Sequence, residues 1–349
     1  MSYSSDLLQL PGATPIEGNP LAEGVAWHYG NPLAEQHGLR LIDRSHRRVI
    51  AVAGKDAAEF LNNLLSQKLI DVPSSFTGAT LDLDIQGHIL HHADIALTEG
   101  TFYLDVPPAQ FDSFVDYLRK MIFWSEVTVE EADLAILTLL APEGEFPEVA
   151  EAVFCRHVDS FSPARMDIAV PREQALEVAK RLHDDSGMGL AGMMAFTAAR
   201  VRNVEPELGV DLDEKSIPHE APRLINRGDH VGAVHLNKGC YRGQETVARV
   251  ENLGRSPRLL VMLQLDGSAP NEPAPGAEIT ANGRKVGRLG TVVHDTDFGP
   301  IALALVKRSA INAALDINGV AASVDEDSLP TDEGEKLGRL AVEKLRRGQ

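Results

Sequence analysis

Lys238-Gly239-Cys240-Tyr241-Arg242-Gly243-Gln244-Glu245-Thr246-Val247-Ala248-Arg249 holds the densest chemistry in the chain. Gly239 and Gly243 permit tight backbone turns, which predicts a loop tip carrying Cys240, Tyr241 and Arg242. Lys238 and Arg242 bring positive charge to the thiol, and cations favour the thiolate, the form that attacks electrophiles or binds metal. Gln244 and Glu245 add an amide and a carboxylate for reading a ligand with adjacent donors and acceptors. Cys240 and Lys238 are therefore the candidate catalytic residues, and Tyr241, Arg242, Gln244 and Glu245 candidate ligand contacts. A lone cysteine is more often a small buried hydrophobe. The polar surroundings of Cys240 argue against that reading.

Composition narrows the classes. At 349 residues and 44% hydrophobic content the chain can bury two or three cores. Its 51 acidic against 33 basic residues, a formal charge of −18, disfavour direct contact with nucleic acid or an anionic membrane. Only Cys155 and Cys240 are present, with no Cys-x-x-Cys spacing, so neither a disulfide framework nor a self-contained iron–sulfur cluster is expected. Cys155 follows Ala152-Val153-Phe154 and reads as inert core. His88, His91 and His92 look like a metal cluster, but adjacent side chains on a strand point to opposite faces, so no metal site is expected. No signal peptide opens the chain and no apolar run nears the ~18 residues of a membrane span, which points to the cytoplasm.

Outward from the motif, Leu39 to Gly54 alternates as one half-buried strand, and Lys55 to Leu69 is helical with Asp56 as cap. Gly78–Asp84, Ile89–Ala96 and Thr101–Val106 read as strands of an antiparallel sheet. Pro108 to Met121 is a helix, and Leu134 to Leu140, apolar throughout, a central strand. Glu143 to Ala152 is expected as a short acidic helix, Ser160 to Val170 as a strand, and Arg172 to Ser186 as an amphipathic helix. Gly187 to Gly192 breaks the pattern before a helical or extended run over Ala195 to Val204. The loop from Glu205 to Glu220 is long and charged. Arg200, Arg202, Glu205 and Glu207 precede Gly209 and are candidate ligand contacts that converge with the Cys240 loop on one cleft; the plain alternative is a solvated charged surface. Beyond Gly254, short strands at Pro257–Leu265, Glu278–Ala281, Arg284–Thr291 and Ile301–Val306, with an Asn282-Gly283 hairpin, form a second all-β unit.

Lys238-Gly239-Cys240-Tyr241-Arg242-Gly243-Gln244-Glu245 resembles the signature of the YgfZ-type folate-binding proteins. These are relatives of the glycine cleavage aminomethyltransferase that serve iron–sulfur cluster biogenesis. The likeness runs from about His28-Tyr29-Gly30 to near Ala310. It implies an α+β fold: a folate-binding domain of ferredoxin-like halves with antiparallel sheets over 26–254, and a small C-terminal β-barrel over 255–325. A flexible leader or surface arm over 1–25 precedes them, and a charged tail over 326–349 follows, helical from Gly334 to Arg347. The implied cofactor is tetrahydrofolate or a one-carbon derivative. The implied partners are iron–sulfur assembly factors or client enzymes, tRNA-modifying ones included, with Cys240 as the functional thiol.

Two departures shape this expectation. The Arg-x-Glu-Ala-Gly motif of the aminomethyltransferases falls on Arg200 and Arg202, and a cation at Arg202 cannot accept from a pterin amine. Glu205 or Glu207 is the nearby substitute. The acidic pair of their Gly-Gly-x-Ile-Asp-Asp-like turn is replaced at Leu90 and His91, which argues against glycine-cleavage chemistry. The leading reading is thus an accessory factor. Its competitors are a folate-dependent one-carbon transferase or demethylase, and a docking module with a vestigial cleft.

Overall fold

The computed structural model describes residues 3–330, so the helix expected over 334–347 lies outside the described residues. The chain begins with a short ladder of β1 (Thr14–Pro15) and β2 (Ala26–His28). Residues 3–25 are an arm packed on the body, not a loose leader. Leu7 is buried with Leu41 and Leu139, and the Ser5 hydroxyl donates to the Asp43 carboxylate.

The stretch expected as one strand from Leu39 to Gly54 is two, β3 (Arg40–Asp43) and β4 (Arg48–Ala53), in different sheets. Arg44 to Arg47 turns between them, because the Arg44 and Arg47 side chains are drawn inward to buried carboxylates. Helix α1 (Ala57–Leu64) follows, and the Asp56 carboxylate accepts from the Glu126 backbone N–H instead of capping it. Then come β5 (Thr77–Leu83), β6 (Ile89–Thr98), β7 (Thr101–Val106), α2 (Pro108–Lys120) and β8 (Thr128–Ala132). The first sheet has the order β5-β6-β7-β4-β8, antiparallel throughout. Its outer face is sealed by Phe60, Leu61 and Leu65 from α1 and its C-terminal end, and by Phe111, Phe114 and Leu118 from α2.

Strand β9 (Leu134–Ala141) is buried at every residue, as its unbroken apolar sequence predicts. No helix forms over 143–152. Gly144 takes a positive φ of 76° and Pro147 lacks the N–H that a helix interior needs. That segment leads instead into a strand the sequence reading missed, β10 (Phe154–Val158), paired with β11 (Ala164–Pro171). Helix α3 (Ala175–Ser186) and the short β12 (Gly189–Ala191), inside the stretch expected only as a break, complete the half. The second sheet runs β10-β11-β9-β3-β12, antiparallel except for β12 beside β3.

The two sheets face each other across a thin apolar layer of Val49, Ala96, Ile136 and Ala169. Next to that layer lies an ionic one. Asp94 and Asp105 stand directly opposite each other on β6 and β7, a pairing that alone would be repulsive. Arg156, on the other sheet, reaches both at 3.4 and 2.7 Å and also pairs with its own cross-strand neighbour Asp167 at 2.8 Å. Arg44, Arg47 and Arg165 join the same network.

Helix α4 (Met193–Arg202) is buried around most of its circumference, its apolar residues spread over several faces and Arg200 buried in an ion pair with Asp211. Phe196 and Ala199 pack with Ile42 and Leu140 of the second sheet, whereas Ala198 and Val201 join Leu303 and Leu305 of the C-terminal unit. That unit is a closed barrel of β13 (Arg258–Leu265), β14 (Glu278–Ala281), β15 (Arg284–Asp295), β16 (Gly299–Lys307), β17 (Leu315–Ile317) and β18 (Val320–Val324). Its order is β13-β16-β15-β14-β17-β18, and the last two strands, absent from the sequence reading, close it against β13. Before it, Gln244–Leu253 forms α5, a helix the sequence reading did not assign.

Removing one partner of a buried charge network strands the others, at a cost of ~3–5 kcal/mol. Arg156→Met, which leaves Asp94, Asp105 and Asp167 short of a cation, is expected to lose stability on that scale in urea unfolding. Lys55→Ala, which breaks an exposed pair with Glu126, is expected to leave the midpoint unchanged.

Candidate functional site

The Cys240 loop is built by two interlocked turns. Gly243 has a φ of 82°, and a Cβ there would lie 2.6 Å from the Asp84 carbonyl; a Cβ on Gly87, at φ 84°, would meet Thr246 at 2.7 Å. The β5–β6 turn and the start of α5 therefore touch through their glycines. Gly239 has open space around it and carries no such constraint. Cys240 is exposed.

The cations beside it are committed elsewhere. The three ammonium protons of Lys238 go to the carbonyls of Asn62, Leu65 and Gln67, and burial pushes its pKa down to about 8. Its expected role as activator of the thiol is replaced by that of a pin holding the loop to the end of α1. Arg242 donates to the Leu83 carbonyl and the buried Asp82 carboxylate, and lies 4.5 Å over the Tyr117 ring. Tyr241 is core, packed with Leu81, Leu83 and Ile89, and burial lifts its hydroxyl to about 12. Gln244 and Glu245 occupy the first turn of α5, Glu245 in solvent. Cys155 is not core. It faces outward from β10, although neighbouring groups still desolvate its thiol enough to push its pKa up.

The four charged residues before Gly209 do not converge on one cleft. Arg200 is buried and reaches Asp211, the Glu205 carbonyl and the Thr291 hydroxyl at 2.5, 2.7 and 2.5 Å, which fastens α4 to β15 of the barrel. Arg202 pairs with Asp295 at 3.3 Å beside a groove of about 520 Å³ between the second sheet and the barrel, lined also by Gln36, Pro163, Met262, Phe298 and Asp327. Glu207 lines a cavity of about 30 Å³ with Arg44, His46 and Arg47. Burial and the neighbouring arginines hold His46 neutral, with its pKa down to about 3.

Only Glu205 faces the space between the two sheets. There a cleft of about 60 Å³ is lined by His92, Asp94, Arg156, His157, Glu205, Arg223 and His230, with Gly232 and Ala233 along one wall. The groove beside Arg202 is far larger, yet the ionisable groups are concentrated here. Burial would raise the Glu205 carboxyl, but Arg165 at 2.8 Å, Arg223 and Arg44 outweigh it and bring it to about 2. Burial likewise opposes ionisation of Asp94, and Arg156, Arg47 and Arg165 hold it below the usual carboxylate range. Two lining residues carry buried atoms with no hydrogen-bond partner among the described residues, Arg156 Nε and His230 Nδ1. His230 Nε2 lies 2.7 Å from the Arg223 carbonyl, which can only accept. Nε2 therefore carries the proton, and Nδ1 of the neutral ring is an acceptor.

Asp94, Arg156, Arg223 and His230 escaped sequence reading as site residues. The available signal was charge inside strands that are otherwise apolar, as at Asp94, Asp105, Arg156, Arg165 and Asp167. Cys240 lines none of the three spaces. Segment 230–233, which walls the cleft, leads within a few residues into its loop.

Glu205 and Asp167 titrate below their unfolded values of ~4, so their stabilisation is complete above that range and is lost as pH falls. Glu205→Gln is expected to melt below wild type at pH 7. The gap is expected to narrow between pH 5 and 2, as read by thermal melts across that range.

Comparison with known proteins places this geometry. Residues 258–330 match the family model described as CAF17, C-terminal beta-barrel domain. The chain is 26% identical to a chloroplastic protein of Arabidopsis thaliana provisionally named a transferase, over 93% of this chain and 83% of that protein. It is 26% identical to the mitochondrial iron–sulfur cluster assembly factor IBA57 of Mus musculus, over 86% and 83%. Identity to the tRNA-modifying protein YgfZ of Colwellia psychrerythraea is 22%, over 74% and 82%. Among solved structures, glycine cleavage system aminomethyltransferase T from Bartonella henselae shares the fold, with a TM-score of 0.75 and 20% identity over 92% of this chain and 95% of that one. The barrel at residues 258–330 thus carries the CAF17 C-terminal family match, and the chain as a whole is similar in sequence to YgfZ and IBA57 proteins and shares the fold of an aminomethyltransferase.

Proposed function

We propose that this protein is a folate-binding accessory factor in iron–sulfur cluster assembly or repair, supporting cluster-containing enzymes such as those that modify tRNA. The relatives named for iron–sulfur assembly and for tRNA modification support the role. The observation that carries the ligand is the cleft between the sheets, where ionised Glu205 and Asp94 face Arg156 and Arg223. A pterin edge presents amine donors beside ring acceptors, and this donor set suits it: carboxylates accept, and Arg156 Nε and His230 Nδ1 supply one further donor and one further acceptor. Glu205 here takes the part that Arg202 cannot.

The polar groups fit a reduced folate, whereas the enclosed space does not yet hold one. About 60 Å³ is far below the ~300 Å³ at which ligand pockets begin. Entry therefore requires the wall at 230–233 to shift, and that wall continues into the loop carrying Cys240. Gln67 holds it through a 2.7 Å hydrogen bond to the Gly232 carbonyl. Ligand binding would in this way be felt at the exposed thiol, the group available to a client protein or its cluster.

Classical aminomethyl transfer is disfavoured. Leu90 stands at the position of one acid, and Asp94 is tied into arginine pairs rather than free to move protons.

Anaerobic titration calorimetry with tetrahydrofolate tests the reading. Saturable binding is expected for wild type, and Glu205→Gln is expected to bind at least about tenfold more weakly, since a charged hydrogen bond is worth ~1.5–3 kcal/mol. Cys240→Ala is expected to bind normally yet fail to restore cluster-enzyme activity in a strain lacking the protein. Absence of binding at millimolar ligand removes the folate part and leaves a docking module that acts through Cys240.

A further inference from the structure

His91, at the position where the related enzymes carry acid, turns away from the cleft. His92 and Asp94 of β6 line the cleft, whereas His91, Ala93 and Ile95 face the helices; a β-bulge before His91 returns Ile89 to the core of Leu81, Leu83 and Tyr241. On that outer face, His91 Nδ1 lies 2.8 Å from Asp82 Oδ2, and His91 Nε2 lies 2.9 Å from the hydroxyl of Ser113 on α2. The ring is fixed by stacking on Phe114, with centroids 4.7 Å apart and planes 15° from parallel. Asp82 is fully buried and its other oxygen accepts from Arg242 at 2.6 Å. Ser113 is exposed.

We propose that Ser113, His91 and Asp82 form a nucleophilic serine site that accepts acyl groups from small activated esters or thioesters. It does not rest on the folate reading. Asp82 is the positioning residue: its carboxylate accepts Nδ1–H and so sets the tautomer that leaves Nε2 as a base toward Ser113. The hydroxyl is also 3.1 Å from the Gln110 carbonyl. One proton can therefore serve two partners in turn. With His91 neutral, Ser113 O–H donates to Nε2. With His91 protonated, Nε2–H donates to Ser113 Oγ, whose proton turns to Gln110. Both states are fully hydrogen-bonded, as a proton relay needs and a merely structural histidine does not.

The reaction balances within these groups. Ser113 Oγ attacks the acyl carbon and its proton passes to His91 Nε2. The bond to the leaving thiolate or phenolate breaks, and that group takes the proton from His91, leaving an ester on Ser113. Water then adds by the reverse proton path and releases a carboxylic acid. Ser113 lies in the interior of α2, whose backbone N–H groups are spent in the helix. They cannot gather on the acyl oxygen, so turnover is slow and the covalent adduct is the quantity to measure.

The test is a fluorophosphonate probe on the full-length protein, followed by intact mass and peptide mapping. Wild type is expected to gain one adduct on Ser113, and Ser113→Ala none there. His91→Gln is expected to label at least about 100-fold more slowly, the usual scale of a general base, with thermal melts confirming that it is folded. As a second measurement independent of the serine, Ser113→Cys is expected to alkylate with iodoacetamide faster than the Ser113→Cys, His91→Gln pair. A wild-type protein that stays unlabelled at Ser113, or a folded His91→Gln that labels at the wild-type rate, overturns the proposal and leaves the trio as a helix-to-sheet tie.

Discussion

Arg156 is the group on which the rest of the structure depends. It is buried on a strand near the edge of one sheet, and its guanidinium answers carboxylates from both: Asp94 and Asp105 from the first sheet and Asp167 from its own. Without a cation between them, Asp94 and Asp105 would repel across β6 and β7. The apolar layer joining the sheets is thin, and hydrophobic contact would tolerate sliding that a planar, forked guanidinium with three anionic partners does not. The network therefore sets the registration of the two halves more than it adds to net stability, since desolvation offsets much of a buried ion pair's attraction.

A second polar lock joins the barrel to this core. Asp211 accepts from Arg200 of α4, from the Glu207 N–H and from the Thr291 N–H of β15, so a single carboxylate ties helix, loop and barrel. A third ties the Cys240 loop to the end of α1 through Lys238 and to the first sheet through Arg242. The residues with the most conspicuous charge in the sequence are thus largely spent on holding elements together. The exposed thiol and the half-open cleft are what this rigid frame presents.

The fold was readable where local rules and tertiary demand agree. Leu134 to Leu140 has no polar side chain but Thr138 and forms the central strand; Phe111, Phe114, Val115 and Leu118 share one face and pack the first sheet. Reading failed where a tertiary demand overrode the local pattern. Leu39 to Gly54 alternates evenly, yet it breaks because Arg44 and Arg47 must turn toward carboxylates distant in sequence. The helix expected over 143–152 looked plausible by charge, but Gly144 and Pro147 already argued against it. Cys155 looked like core from its apolar neighbours, yet alternation on β10 sends Phe154 inward and Cys155 outward.

Sequence alone determined the class of protein, the motif around Cys240 and its accessibility, the all-β character of the C-terminal unit and the loss of the acid at Leu90 and His91. Those are local properties, carried by residue type, spacing and periodicity. Only the tertiary structure decided which charges line an open space and which hold the frame. Glu205 and Arg202 are three residues apart and open onto different spaces, and Asp82, His91 and Ser113 meet from three separate elements. A side chain's partner is chosen by how sheets and helices pack, and that information is distributed over the whole chain.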